Sequence, residues 1–169
     1  MASNSLGGIS KMDRVFSSLT LLAAIGSGLM AGIFFAFSVF VMTALNRLSP
    51  AQGIAAMQFI NVTILNPLFL LTFMGTAGAS VVLAVSGVRR WGDPGAAWLL
   101  AGSVLYLAGS ILVTTMFNVP RNDALAALDP NSASAAQEWA RYVSEWTAWN
   151  HVRTAMTLAA MVSFIVAMD

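Results

Sequence analysis

Three long stretches of this sequence carry no ionisable side chain, and they limit the class of protein that the chain can form. They are residues 15–46, 48–88 and 94–120, and a shorter fourth stretch covers residues 154–168. A helix that crosses a membrane needs about 20 apolar residues. The first three stretches exceed that length, and the fourth reaches it only when His151 and Arg153 are included. The pattern predicts an all-α, polytopic membrane protein with four transmembrane helices.

The composition supports this class and excludes several kinds of site. The chain is 58% hydrophobic and 9% charged, whereas soluble domains are about 25% charged. A net charge of +1 without a basic stripe argues against a nucleic-acid partner. The absence of cysteine excludes disulfides and zinc–sulfur sites. With one histidine and no acid inside the apolar stretches, no metal site is predicted, and no glycine-rich dinucleotide loop is present for NAD or flavin.

Cap-like sequences divide the chain into four predicted helices. A disordered lead at 1–9 precedes a single domain at 10–169, with helices at about 12–46, 50–87, 94–118 and 134–168. Ser49-Pro50-Ala51-Gln52 combines a capping box with proline at the first helical position. Asp93-Pro94 likewise combines a capping residue with a following proline. Pro67 is expected to kink the second helix.

Helix length predicts where the polar residues lie relative to the membrane. The fourth helix would be about 50 Å long, against a hydrocarbon core of about 30 Å, so its first turns should extend beyond the bilayer on one side. At about 1.5 Å per residue, polar groups of three helices reach the same level near the boundary opposite the termini. They are Asn61 and Asn66, Asn118 to Asn122, and Asn150 to Arg153. We therefore expect a pocket at that boundary.

Charge distribution and small residues predict orientation and helix contacts. The terminal side carries Lys11, Arg14, Arg89 and Arg90, and the opposite side carries Arg47, Arg121 and Arg141. The positive-inside rule then predicts that both termini lie in the cytoplasm. Separately from that rule, we expect the membrane to be a bacterial inner membrane. Gly28 and Gly32 form a GxxxG pair, which permits close helix packing either within the chain or in a homo-oligomer.

One face of the fourth helix gathers aromatic, amide and cationic side chains. On a helical wheel Trp146 and Thr154 lie within about 40° of Asn150. Arg153 lies about 60° to one side of Asn150 and His151 about 100° to the other. Ionisable residues at membrane depth are candidates for function. The alternative interpretation is structural, with the arginine reaching the interface, the tryptophans forming an aromatic belt and the histidine bonding a neighbouring helix.

Two motifs connect the chain with a known family. They are the run from Asn118 to Leu125, reading NVPRNDAL, and the run from Trp146 to Thr154, reading WTAWNHVRT. Together with the small residues and phenylalanines of the first helix, Leu48-Ser49-Pro50 and the 57–67 stretch, they resemble the anthrone oxygenase family of small four-span membrane proteins. The resemblance covers roughly residues 15–168. It implies O₂-dependent oxidation of an anthrone, typically a polyketide product, to the anthraquinone.

This activity suggests roles for the polar residues. His151 is predicted to be the general base, since its usual pKa of about 6.5 suits proton removal near neutrality. Arg153, with Arg121, would stabilise the developing oxyanion. The predicted substrate-binding residues are Asn150, Trp146, Trp149, Asn118, Asn122, Arg121, Asn61, Asn66 and Thr154. The expected partners are a lipophilic aromatic molecule and the lipid bilayer, with O₂ as co-substrate and no cofactor.

Three alternatives remain open at this stage. The first is a haem protein, in which His151 and one of the ten methionines bind the iron. The second is a small-molecule transporter, which would need a polar path through the whole membrane. The third is a non-catalytic membrane protein that binds a small molecule or lipid, or acts as a structural homo-oligomer.

Overall fold

A computed structural model describes residues 11–169, and every regular element in this range is helical. Helix α1 (Lys11–Ala36) continues through a π-helical turn (Phe37–Val41) into α2 (Met42–Leu45), and is followed by α3 (Pro50–Thr63), α4 (Pro67–Arg89) and α5 (Ala96–Tyr106). Two more π-helical turns (Leu107–Leu112 and Thr114–Asn118) join α5 to α6 (Val119–Ala126), and α7 covers Ala135–Val166. The all-α prediction is confirmed, while the predicted disordered lead at 1–9 lies outside the described residues.

Three helical segments of the described chain are long and apolar enough to cross a membrane. They are Arg14–Leu45, Pro67–Arg89 and Ala96–Ala126. Their outward faces carry exposed apolar side chains such as Leu22 and Leu71, as expected for contact with lipid. Four such helices were predicted. Helix α7 does not qualify because its first half holds most of its charged side chains and only its second half is strongly apolar.

The predicted second helix is wrong in one respect, because the chain breaks before Pro67 rather than kinking. Helix α3 ends at Thr63, and Asn66 adopts an extended conformation with ψ of 159°. A residue that precedes proline disfavours helical backbone, and proline fits the first turn of a new helix. The side chain of Asn66 accepts a hydrogen bond from Phe69 N at 3.0 Å and caps α4. The capping box at Ser49 and Gln52 is confirmed.

The predicted first helix, which α1 and α2 form together (Lys11–Leu45), and α7 agree with prediction to within two residues at each end, whereas the predicted third helix starts two residues later than predicted and continues past its predicted end. It starts at Ala96 because Gly95, with φ of 78°, precedes it in the left-handed conformation. Asp93 pairs with Arg90 at 3.0 Å. At its other end the helical segment continues beyond residue 118, where it was predicted to end. Pro120 permits this because it lies in the first turn of α6, where the missing N–H of proline costs no hydrogen bond.

The molecule has two ends with different architecture. The terminal end brings the start of α1, the α4–α5 turn and the C-terminus together, with Thr20, Asp93 and Ala167 around one groove. The distal end consists of α2, α3, α6 and the first half of α7. Each end has its own core: Met30, Phe73, Tyr106 and Phe164 belong to the first, and Ile54, Met57, Trp139 and Tyr142 to the second.

Two glycines allow α7 to pack closely against its neighbours. At Gly53 of α3 a methyl group would lie 2.7 Å from the indole of Trp139. At Gly28 of α1 it would lie 2.9 Å from the sulfur of Met161. Gly28 of the predicted GxxxG pair therefore serves contact within the chain. Helix α7 is held between α1 and α5, and its polar face is directed inward.

Candidate functional site

The polar face of α7 is buried over four consecutive turns. Trp146, Asn150, Arg153 and Thr157 follow one another at spacings of three or four residues, and all four are buried. This spacing places them on one side of a helix. Because buried polar groups need hydrogen-bond partners, each position requires a matching group on the surrounding helices.

Those partners come from the three π-helical turns. In the first turn, Ser38 Oγ accepts a bond from Asn150 Nδ2 at 2.7 Å. In the second, Ser110 and Thr157 share a hydrogen bond of 2.8 Å between their hydroxyl oxygens. Turns of this kind alter which side chains a helix presents and are frequent at functional sites.

The third π-helical turn contacts the distal part of the same face. Thr114 Oγ1 accepts from Arg153 Nη1 at 3.1 Å. Asn118 Nδ2 donates to the carbonyl oxygen of Trp146 at 3.3 Å. The irregular turns of α1 and of the α5–α6 segment thus all face α7 where its polar residues lie.

Arg153 is a buried cation that has no acidic partner in the described part of the chain. Its side chain is 6% exposed, and its second terminal nitrogen, Nη2, donates to Asn150 Oδ1. No carboxylate in the described part of the chain forms an ion pair with it. The guanidinium lies 4.3 Å from the ring centre of Phe34 and 5.1 Å from that of Trp146, in cation–π contact.

A cavity of about 320 Å³ opens beside this guanidinium. It lies between α1, α3, α4, α6 and α7. Most of its lining is apolar, from Phe34, Phe37, Met57, Ile60 and Phe69 among others. Its polar lining comes from Gln58, Asn61, Thr114, Asn122, Asp123, Arg153 and the indole of Trp146. An apolar cavity with a few convergent polar groups is the usual form of a small-molecule site.

Three side chains that line the cavity have donors without a protein partner. They are Arg153 Nε, Trp146 Nε1 and Asn61 Nδ2, all buried and without a hydrogen bond among the described residues. Buried donors without partners are rare in proteins and call for an explanation such as a ligand or an ordered water. All three are N–H groups, so the cavity is suited to a ligand that supplies acceptor oxygens.

Four of the predicted site residues therefore line one cavity, namely Asn61, Asn122, Trp146 and Arg153. Asn150 lies behind the cavity, fully buried, and bonds Arg153. Thr154 bonds the carbonyl oxygen of Asn150 at 2.9 Å and shares a bond of 3.2 Å with Ser38. These two residues belong to the support of the site rather than to its surface.

His151 lies outside this cavity, contrary to the expectation of a shared pocket. Its side chain is exposed and lines a separate groove of about 350 Å³ with Asn46 and Ser144. The helical wheel explains the separation, because His151 lies about 100° from Asn150, on the flank away from Arg153. The buried residue Met42 also lines that groove, which is where the haem alternative would have to be tested.

The other predicted residues are engaged elsewhere. Trp149 stacks on Phe117 with ring centres 3.5 Å apart. Arg121 pairs with Glu145 at 2.9 Å on the distal surface, and Asn66 is exposed and caps α4. Asn118 is buried against α7, and its Oδ1 has no partner among the described residues.

Sequence reasoning missed several residues of the site. Phe34 and Phe37 line the cavity but are not among the predicted site residues, although their spacing of three places them on one face of the first helical segment. Tyr142 was not singled out, yet its hydroxyl donates to Asn122 Oδ1 at 2.9 Å. Burial raises the pKa of the Tyr142 phenol, which therefore stays neutral and acts as a donor rather than a base.

A match to a known family supports the resemblance that the two motifs carry. The sequence matches the anthrone oxygenase family over residues 68–163, which is more than half of the chain. The chain belongs to the anthrone oxygenase family. The resemblance inferred from the two motifs is thereby confirmed. Comparisons with curated proteins and with solved structures gave no match.

The anthrone oxygenase match covers only part of the cavity. It includes α4, α5, α6 and most of α7, and so contains Thr114, Trp146 and Arg153. The walls formed by α1 and α3, with Phe34 and Asn61, lie before it. Within residues 11–169 no group of three or more His, Cys, Asp or Glu side chains is arranged to hold a metal ion.

Proposed function

We propose that this anthrone oxygenase family member oxidises a flat, lipophilic, oxygen-bearing aromatic molecule with O₂ in the cavity beside Arg153. The observation that carries the proposal is the buried guanidinium, which has no carboxylate partner among the described residues and lies between Phe34 and Trp146. Aromatic walls suit a planar ring system, and an unpaired cation suits an oxygen that gains negative charge. The cavity volume of about 320 Å³ is at the lower end of the range for small-molecule sites.

The proposed reaction needs no reductant from outside. An anthrone loses a proton from its central CH₂, and the electron pair spreads onto the ring oxygen. The anion reacts with O₂, forming a carbon–oxygen bond and a peroxide at that carbon. The peroxide takes up a proton, and the carbon then loses its remaining hydrogen as a proton while the O–O bond breaks. One oxygen atom stays as the new carbonyl of the quinone and the other leaves as water. Arg153 would stabilise the charge on the ring oxygen of the anion that forms first and reacts with O₂.

The proton acceptor is not assigned to His151 in this scheme, because the side chain of His151 lies in a different groove. Asp123 is the only carboxylate among the described residues that line the cavity, and it lies on the exposed side. Proton release to water at that side is sufficient if Arg153 makes the bound anthrone acidic enough. The role predicted for His151 can be tested separately by substitution.

We further propose that the second half of α7 crosses the membrane as a fourth span. Thr154–Met168 is apolar, and its residues Ala160 and Phe164 pack in the core of the terminal end with Met30 and Tyr106. The cavity would then lie at the membrane boundary away from the termini. Val62 and Leu65 line it and are 75% and 62% exposed, which provides an apolar edge for entry from the bilayer.

Oxygen consumption tests the proposed activity. The purified protein in liposomes should take up O₂ when a hydroxyanthrone is added, and Arg153→Met should reduce the rate at least a hundredfold, as expected when a stabilising donor is lost (about 10²–10³). Arg141→Met is the matched control, since Arg141 is exposed and pairs with Glu138 at the surface. Binding of the anthrone without any O₂ uptake would support the non-catalytic alternative instead.

A further inference from the structure

The partner of Arg153 is a neutral amide at a position where a carboxylate would fit. Asn150 is fully buried and precedes Arg153 by three residues on the same face of α7. Its Oδ1 accepts from Arg153 Nη2. Aspartate is nearly the same size as asparagine, and an Asp–Arg pair is the usual way to compensate a buried guanidinium. Here the guanidinium is bonded without being neutralised.

The orientation of the Asn150 amide is fixed by its other contacts. Its Nδ2 donates to the carbonyl oxygen of Phe34 at 2.6 Å and to Ser38 Oγ at 2.7 Å. The nitrogen therefore faces α1, and the oxygen has to face Arg153. Phe34 lies in the last turn of α1 and Ser38 in the π-helical turn that follows it, so these contacts hold the guanidinium relative to the first helical segment as well as to α7.

The other groups around the cavity do not balance this charge. Helices α1, α3 and α4 contribute only uncharged side chains to the lining, and so does the α5–α6 segment up to Thr114. Asp123 of α6 is the acid among the described lining residues, and it is exposed, so water screens it. Tyr142, which lies near Arg153 on α7, stays neutral. The cavity next to Arg153 is therefore electropositive.

We propose that the cavity binds its aromatic ligand in the deprotonated form, as an enolate or phenolate, and that Asn150 is the positioning residue that keeps Arg153 uncompensated for that anion. This inference rests on the proposed function, from which it takes the chemical class of the ligand. On binding, the O–H or C–H bond of the ligand breaks, its proton leaves to water and the electron pair stays on the ligand oxygen. The unpartnered N–H groups of Arg153 and Trp146 provide donors for that oxygen.

A coloured ligand that cannot undergo the reaction tests this proposal. A hydroxyanthraquinone changes its absorption when its phenol ionises, so its pKa can be measured bound to the protein and free in the same detergent, without turnover. When the dye is bound to the wild-type protein, the pKa of its phenol should be lower than that of the free dye by about one unit or more, as expected beside an unpaired cation. Arg153→Met should remove the shift, and the matched control Arg141→Met should keep it.

Substitution of Asn150 separates positioning from packing. Asn150→Asp places a carboxylate against Arg153 and should abolish the shift while the neutral dye still binds. Asn131→Asp, in an exposed loop, is the matched control and should leave the shift unchanged. If Asn150→Asp does not fold, Asn150→Ala, which removes the acceptor without adding charge, should at least halve the shift. A purely structural role for Asn150 would alter protein stability without moving the pKa of the bound dye.

Several outcomes would overturn the proposal. They are a wild-type protein that does not bind the dye or does not shift its pKa, a shift that persists in Arg153→Met, and a full shift in both Asn150 variants. These results are independent of O₂ uptake. Arg153-dependent oxidation without a dye shift would overturn this inference and leave the proposed function standing. A dye shift without oxidation of any anthrone would do the reverse.

Discussion

At the residue scale, the burial of Arg153 carries a high desolvation cost, and a specific set of contacts surrounds its guanidinium. Burying a guanidinium without a counter-charge costs several kcal/mol, even after relaxation of the surroundings. Hydrogen bonds to Asn150 and Thr114 and the faces of two aromatic rings offset part of that cost. A residue that only served packing would not need this charge, so the cost is understandable if a ligand anion completes the site.

Arg153→Met should therefore leave the protein at least as stable as wild type while it abolishes anion binding. Methionine fills a similar volume without the desolvation cost of several kcal/mol that an uncompensated charge carries. That gain should at least offset the loss of about 1–3 kcal/mol that follows when Asn150 Oδ1 loses its donor. The midpoint of thermal unfolding in detergent measures this effect, with Arg141→Met as the surface control. A fall of several degrees for Arg153→Met alone would mean that the guanidinium is mainly a structural group.

His151→Gln distinguishes between the two interpretations of the histidine. A general base contributes about 10²–10⁴ to the rate, whereas an exposed side chain in a separate groove should change it by less than about tenfold. The initial rate of O₂ uptake with a hydroxyanthrone is the measurement. A loss of a hundredfold or more, with unchanged binding, would restore His151 as the base and require that the groove opens to the cavity.

The sequence predicted the polar face of α7 correctly because helical periodicity alone determines it. Trp146, Asn150 and Arg153 share that face in the structure. The sequence could not predict which of them reach a cavity, since that depends on how α1 and α3 rotate against α7. Asn66 is a second example. The sequence predicts it at the same membrane depth as the other polar residues, whereas in the structure it caps α4 because the chain breaks before Pro67.

At the element scale, irregular turns rather than regular helix build the site. Three π-helical turns supply Ser38, Ser110 and Thr114 to the polar face of α7. No proline or glycine pattern in the sequence marks the first of these turns, Phe37–Val41, so it could not be predicted. The capping box of α3, by contrast, was evident from four residues, since its hydrogen bonds are local.

Asn66→Ala tests the element boundary that replaced the predicted kink. Loss of this cap should reduce the stability of the protein by about 1 kcal/mol, because the Phe69 amide loses its acceptor. Asn131→Ala, in an exposed loop, is the control, and denaturant unfolding in mild detergent is the measurement. Affinity for the dye should not change, and a large loss of affinity with normal stability would return Asn66 to the binding site.

At the scale of the whole molecule, the fold consists of the terminal end and the distal end, each with its own core. The cavity lies between them, where Phe34 belongs to the first core and Met57 and Trp146 to the second. Composition predicted the membrane class and the helical fold, because apolar length is a property of the sequence alone. It did not establish the number of spans, since α7 mixes a charged half with an apolar half.

Cysteine labelling can settle whether α7 crosses the membrane. The chain has no cysteine, so single cysteines can be introduced without further changes. Ala136→Cys, at the start of α7, and Asp169→Cys, at its end, should react with a membrane-impermeant maleimide from opposite sides of a sealed vesicle. Labelling of both from the same side would contradict a fourth span. The labelled side of Asp169→Cys would also test the predicted cytoplasmic location of the termini.

The most direct test of the account is a structure of the protein with a bound hydroxyanthraquinone. The ring system should lie in the cavity between Phe34 and Trp146, with a ligand oxygen within hydrogen-bond distance of the Arg153 guanidinium (about 3 Å). Asn150 should remain bonded to Arg153 in the complex. A ligand bound in the His151 groove, or in the cavity with no oxygen near Arg153, would contradict the account.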